Sequence, residues 1–145
     1  MDFPYFIIPA KPDGAFPART ATRRPIVPIL LEKNSRRITT WALVDSGADF
    51  CLFPASIAGA LDISIPNQNA SPFSGTSDSP QIAYFETVRA SIWNGDHSEA
   101  PIIFDLYADF CSTLEHVGLG LLGRDGFFSR FSLSFDFRSN LLRVN

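Results

Sequence analysis

An apolar run that ends on an acid constrains this chain more than any other stretch. Trp41-Ala42-Leu43-Val44 reads as a buried strand and runs directly into Asp45-Ser46-Gly47-Ala48-Asp49. The sequence then turns apolar again through Phe50-Cys51-Leu52-Phe53. A strand that carries a carboxylate to its tip and then turns sharply presents that carboxylate at an edge of the fold. Gly47 is expected to make the turn, because glycine takes positive φ without steric cost. Asp, Ser and Gly are also ordinary turn residues, so this stretch alone equally describes the end of any strand.

The 145 residues suit one domain with a real core. Hydrophobic residues make up 46% and charged residues 19%, a globular rather than a disordered balance. Many short apolar pieces separated by Pro and Gly predict a mostly β chain. A net charge of −3 gives no electrostatic basis for binding nucleic acid. Two cysteines, Cys51 and Cys111, are too few for a disulfide framework and read as buried thiols. No apolar run approaches the roughly 18 residues of a membrane span. The apolar start, Phe3 to Ile8, lacks a basic leader and is broken by proline, so it does not read as a signal peptide. A free-standing cytoplasmic protein is the expectation.

Taken in order, residues 1–24 read as an extended amino-terminal arm. Four prolines punctuate it, and Phe3 to Ile8 is expected as one edge strand, where proline is tolerated. The main domain is expected over 25–145. Ile26 to Leu31 and Arg37 to Val44 form a hairpin around Glu32-Lys33-Asn34-Ser35, and this hairpin delivers Asp45. Cys51 to Phe53 is a short strand, and Pro54 leads into a brief helix, Ala55 to Leu61. Residues 66–81 are rich in Asn, Ser, Pro, Gly and Thr and read as a loop. Ile82 to Trp93 is a long strand, and Asn94-Gly95 signals a tight turn to a return strand at Pro101 to Phe104. Asp105 to His116 is expected as a loop with some helical character. Leu119 to Leu122 is again a strand, Arg124 to Arg130 a short helix, and Phe131 to Phe137 alternates as a half-buried strand. Leu141 to Val144 closes a terminal hairpin.

Two motifs then bear on each other. Val44-Asp45-Ser46-Gly47-Ala48-Asp49 is followed far downstream by Leu121-Leu122-Gly123-Arg124-Asp125. Together they resemble the signature of the retropepsins, the aspartic proteases of retroviral type. The resemblance spans roughly Ile26 to Asn145. The Arg124-Asp125-Gly126-Phe127-Phe128 run is similar to cellular and bacterial retropepsin-like proteins. The resemblance implies a closed β-barrel of the acid-protease half type, with one short C-terminal helix, acting as a homodimer. It implies Asp45 as the catalytic acid, supported by Ser46, Gly47 and Ala48. Ser46 would hydrogen-bond across a twofold axis. Asp49 would contact the peptide and pair with Arg124 in a buried bracing contact. A flap over the substrate would fall at Phe73-Ser74-Gly75-Thr76, making Gly75 and Thr76 substrate-binding residues.

The implied reaction needs two carboxylates sharing one proton. Like charges about 3 Å apart cannot both ionise, so the pair titrates as a unit. The ionised member deprotonates a water that attacks the peptide carbonyl, while the protonated member donates to the carbonyl oxygen. The chain holds one Asp-Ser-Gly, so a second copy is expected to supply the facing carboxylate. The expected substrate is an extended peptide, with no cofactor, no metal and no membrane or nucleic-acid partner.

Other patterns lead elsewhere. Gly118-Leu119-Gly120-Leu121-Leu122-Gly123 matches the dinucleotide-binding G-x-G-x-x-G. That motif requires a βαβ unit and a downstream acid that Phe127 to Asn145 does not provide. His97 and His116 have no Cys or His partners at zinc-ligand spacing. Ser74 lacks a nucleophile elbow. Asp45 and Asp49 lack the remaining acids of a calcium loop. A rival from another class remains: a catalytically silent retropepsin-fold dimerisation or peptide-binding module.

Overall fold

The computed structural model describes residues 1–64, 70–73 and 81–145, without the side chains at 70–73 and 81–83. The described residues form twelve strands: β1 Asp2–Pro4, β2 Phe6–Pro9, β3 Ala21–Arg24, β4 Ile26–Lys33, β5 Arg36–Val44, β6 Cys51–Pro54, β7 Ala70–Phe73, β8 Gln81–Ile92, β9 Ile102–Cys111, β10 Gly120–Leu122, β11 Leu133–Asp136 and β12 Leu141–Val144. Among the described residues the single α-helix, α1, is Ala55–Ala60. Six strands, in the order β4-β5-β10-β6-β9-β8, close into a barrel through β4–β8 pairing, and β7 extends β8 beyond it. No helix among the described residues is long and apolar enough to cross a membrane.

Local chemistry sets the register. β4 and β5 pair from Ile26↔Leu43 to Lys33↔Arg36. The two residues between them, Asn34 and Ser35, both have positive φ, at 51° and 61°. That geometry matches the twist of the flanking strands. The Asn34 side-chain amide also donates to Asp62 O at 2.8 Å, tying the hairpin tip to the end of α1. Alternation in β4 sends Val27, Ile29 and Leu31 inward, each fully buried. Phe53, Phe104, Leu106, Phe110, Leu122 and Phe127 meet them in one core.

Several expectations change. Residues 1–24 do not run as a single extended arm with one edge strand. β1 pairs with β12 in the sheet β1-β12-β11, and β2 pairs with β3 as a hairpin. Pro4 and Pro9 end β1 and β2 rather than interrupting a strand. Tyr5 lies between them, buried, with its N–H on Asn140 O at 2.8 Å. The loop beyond β2 is organised by Asp13, whose Oδ1 accepts the amides of Ala15 and Phe16.

Residues 105–111 are strand, not loop. β9 continues to Cys111 before a 3-10 turn at Ser112–Leu114, with Phe104, Leu106, Ala108 and Phe110 facing the core. The turn after β8 is not centred on Asn94-Gly95. His97 donates its N–H to Asn94 O at 3.1 Å and itself takes φ 54°, with its ring stacked on Trp93. Asn94 is buried and donates to Ser98 Oγ at 2.7 Å, which commits this corner to a longer loop.

The expected helix at 124–130 is a run of turns, so the short helix of this fold is α1. Asp125 is still bridged to Phe50, and Gly126 sits at φ 104°. An α-helical ladder therefore cannot begin before Phe127. Ser129 N–H instead reaches back five residues to Arg124 O at 3.0 Å.

The amino-terminal strand belongs to the core: Phe3 is 2% exposed and lies opposite Leu142. Phe3→Ala is expected to lower unfolding stability by about 3–5 kcal/mol, measured by urea denaturation. A change below about 1 kcal/mol would return residues 1–24 to the status of a detachable arm.

Candidate active site

β5 ends at Val44 and hands Asp45 to a turn that joins it to β6. β10 lies between those two consecutive strands, parallel to β5 and antiparallel to β6. The Asp45 N–H donates to Leu122 O at 3.1 Å, so the backbone of the acid is anchored to β10. Its Oδ1 accepts the Gly47 N–H at 2.8 Å, and its carbonyl accepts the Ala48 N–H at 3.2 Å. Asp45 is half-buried, while Ser46 and Gly47 are exposed. Ser46 forms no hydrogen bond within the described residues.

The reason for glycine at 47 differs from the expected one. Gly47 is not in the left-handed region. A Cβ there would lie 3.1 Å from Asp45 Oδ1, the oxygen its amide holds. Space beside the carboxylate, not a positive φ, selects glycine at this position.

The second motif docks on the first. Arg124 N–H donates to Ala48 O at 2.9 Å and Asp125 N–H to Asp49 O at 2.8 Å. The Arg124 guanidinium pairs with the Asp49 carboxylate. Both side chains are exposed, at 60% and 64%, unlike the buried contact expected. Within one chain this pair contributes no more than about 1 kcal/mol.

Gly123 makes the docking possible. A Cβ there would sit 2.2 Å from Phe50 O and 2.8 Å from Ala48 O. Beneath it, the Cys51 thiol accepts the Gly123 N–H at 3.3 Å and donates to Asp125 O at 3.4 Å. Burial pushes the Cys51 pKa up to about 11, which keeps the thiol protonated and able to donate.

Residues not assigned to the site from sequence form an apolar wall beside the turn. Leu52, Cys111 and Leu114 are buried in a cluster separate from the barrel core, with Phe50 and Leu121 packed on it. Phe50 meets Phe85 edge-on at 5.2 Å, and Phe85 stacks on Tyr107 at 5.1 Å. The signal was strand alternation: with Cys51 and Phe53 in the core, Phe50 and Leu52 must face the other way. Gly75 and Thr76, expected at a flap tip, lie outside the described residues.

Asp109 is the other residue missed. It is fully buried on β9, and its Oδ1 accepts the Tyr84 N–H at 2.6 Å. Burial pushes its pKa up to about 6. A carboxyl whose pKa is raised on folding holds its proton more tightly in the folded chain. Ionising Asp109 therefore weakens the fold, and that loss develops as pH rises from about 4, the unfolded value, through about 6.

The tight backbone approach at Gly123 gives a direct test. Gly123→Ala is expected to cost at least about 1–3 kcal/mol, because the obstructing atoms are backbone. Gly59→Ala is the control, since nothing lies within 4 Å of its added Cβ; it should leave stability within about 1 kcal/mol of the parent or raise it. Thermal unfolding of the two variants reads the difference, and equal midpoints would refute the close-approach argument.

No protein-family model matches the sequence, and no curated protein matches it. Among solved structures, the chain is similar to a retropepsin-like aspartic protease from Rickettsia conorii. The likeness has a TM-score of 0.53 and 18% sequence identity, and covers 97% of this chain and 89% of that one. At that identity the likeness concerns the fold, which is retropepsin-like: a closed barrel with Asp45 at the tip of a central strand.

Proposed function

We propose that this chain is an aspartic endopeptidase of retropepsin type, active as a homodimer in which Asp45 faces its twin. One observation carries the reading. Asp45 stands at the end of β5, in a retropepsin-like barrel, with its backbone fixed by Leu122 and one carboxylate oxygen held by the Gly47 amide. The carboxylate is thereby oriented without being enclosed, as a group that must meet a water and a second acid requires.

In this reading the paired carboxylates share one proton. The ionised member takes a proton from the attacking water, and its partner donates to the peptide oxygen. Ser46, exposed beside Asp45, is free to bond across the twofold axis. The apolar wall of Phe50, Leu52, Phe85 and Leu121 supports a preference for apolar side chains near the cut bond. The β7–β8 hairpin is the proposed cover for an extended peptide bound as an added strand. Two free, buried thiols suit a reducing, cytoplasmic setting.

Wild-type protein should cleave an unfolded protein substrate somewhere between acid and neutral pH, and should sediment as a dimer at micromolar concentration. Asp45→Asn should keep the dimer and lower turnover by about 10⁴-fold or more. A wild type that binds peptide but never cuts it would favour the silent binding module. A strict monomer at high micromolar concentration would remove the shared site.

A further inference from the structure

β8 changes partners part of the way along its length. From Ile92 back to Phe85 it pairs with β9, and Phe85↔Asp109 is the last rung. From Tyr84 to Gln81 it pairs with β7 instead. β9 meanwhile continues alongside β6, with Phe53↔Phe110 and Pro54↔Cys111. β8 and β9 therefore part company just beyond Asp109, and the next amide of β8 on that edge belongs to Tyr84. The Asp109 carboxylate takes that amide at 2.6 Å, in the place of a backbone carbonyl. Among the described residues its second oxygen, Oδ2, is buried with no hydrogen-bond partner.

A buried carboxyl with one oxygen unpaired is a costly way to satisfy one N–H. A backbone bond or a serine would do it more cheaply. What the acid adds is a contact that titrates, because burial disfavours the ionised form and the closed arrangement holds best while the carboxyl is protonated. We infer that Asp109 is a positioning residue, whose carboxyl group clamps the Tyr84 amide and fixes the direction in which β8 leaves the barrel to form the β7–β8 hairpin.

The surroundings make this clamp responsive to pH. The groups that act on the charge of Asp109 are the Tyr84 and Phe110 amides and the Cys111 thiol. β6 and β8 bring Leu52 and Phe85 to its register, and neither carries charge. Cys111 is itself pushed up by burial, so it stays a neutral thiol as Asp109 titrates. Asp109, with a pKa of about 6, thus switches from a neutral to a charged acceptor between mildly acidic and neutral pH. Because burial disfavours the ionised carboxyl, the clamp loosens as pH rises. Its consequence for a bound peptide rests on the peptidase reading above, but the clamp itself does not.

Hydrogen exchange of the Tyr84 amide tests it without substrate, in full-length Asp45→Asn protein so that turnover plays no part. Protection of Tyr84, taken relative to Ala90 on the same strand, is expected to fall by up to roughly tenfold between pH 5 and pH 7, because opening the contact solvates Asp109 and returns its pKa from about 6 toward about 4. Adding Asp109→Asn should hold the ratio at its low-pH level throughout. A ratio that is flat with pH, or unchanged by Asp109→Asn, overturns the inference. Carboxyl carbon and Tyr84 amide shifts, followed by NMR with Asp109 intact, give a second reading independent of that variant. A shared midpoint near 6 supports the clamp, and an Asp109 midpoint near 4 or an amide that ignores the titration refutes it.

Discussion

The slot between β5 and β6 is the constraint on which the rest of this structure depends. Two strands consecutive in sequence leave a gap one strand wide, and β10 fills it. Filling it demands glycine at both ends. A Cβ at Gly120 would strike the buried Phe53 ring at 2.4 Å, and one at Gly123 would strike the Phe50 carbonyl at 2.2 Å. The gain is backbone control of the acid. The amide of Asp45 and the carbonyls of Ala48 and Asp49 all bond to the β10 segment or its extension. The carboxylate is thus placed by main-chain geometry, which varies less than side-chain packing.

That arrangement explains why the two motifs of the candidate site were legible together. Asp45, Gly123 and Arg124 sit in short motifs whose chemistry is local, and the barrel brings those motifs together. The β4–β5 hairpin was equally readable, because its turn needs two positive φ values and its strands alternate cleanly. The strand through 105–111 was harder. Its inward residues alternate correctly, but Asp105, Tyr107 and Asp109 occupy the other face and look like loop. Asp109 was hidden for the same reason, since nothing in a sequence tells a buried acid from a solvated one. The turns at 124–130 mimic a helix in composition, and only the φ of Gly126 and the Phe50–Asp125 bridge exclude it.

Cys51 and Asp109 show two solutions to burying a polar group near the same turn. The thiol both accepts from Gly123 and donates to Asp125, so its burial is satisfied by weak but complete bonding. A thiol also costs little to desolvate. The carboxyl is bonded through one oxygen and, among the described residues, leaves the other bare. The first is a structural element that changes nothing across the physiological pH range. The second stores free energy that protonation releases, and it sits where β8 divides its length between barrel and hairpin.

The Asp49–Arg124 pair carries the remaining question of how one chain relates to two. An exposed pair at 60% and 64% is screened by water and holds little of the fold together. The turn and the β10 extension are already joined by two backbone bonds at that point, so the ion pair is redundant as a staple. Its value must then lie in where it puts the guanidinium. Drawn sideways by Asp49, its guanidinium presents a planar donor on the exposed flank of the Asp45 turn. If a second subunit covers that flank, the same pair loses its water, and breaking it from one side becomes several-fold more costly than in the single chain. In the proposed homodimer, the energetic role of Arg124 would be set by association rather than by folding.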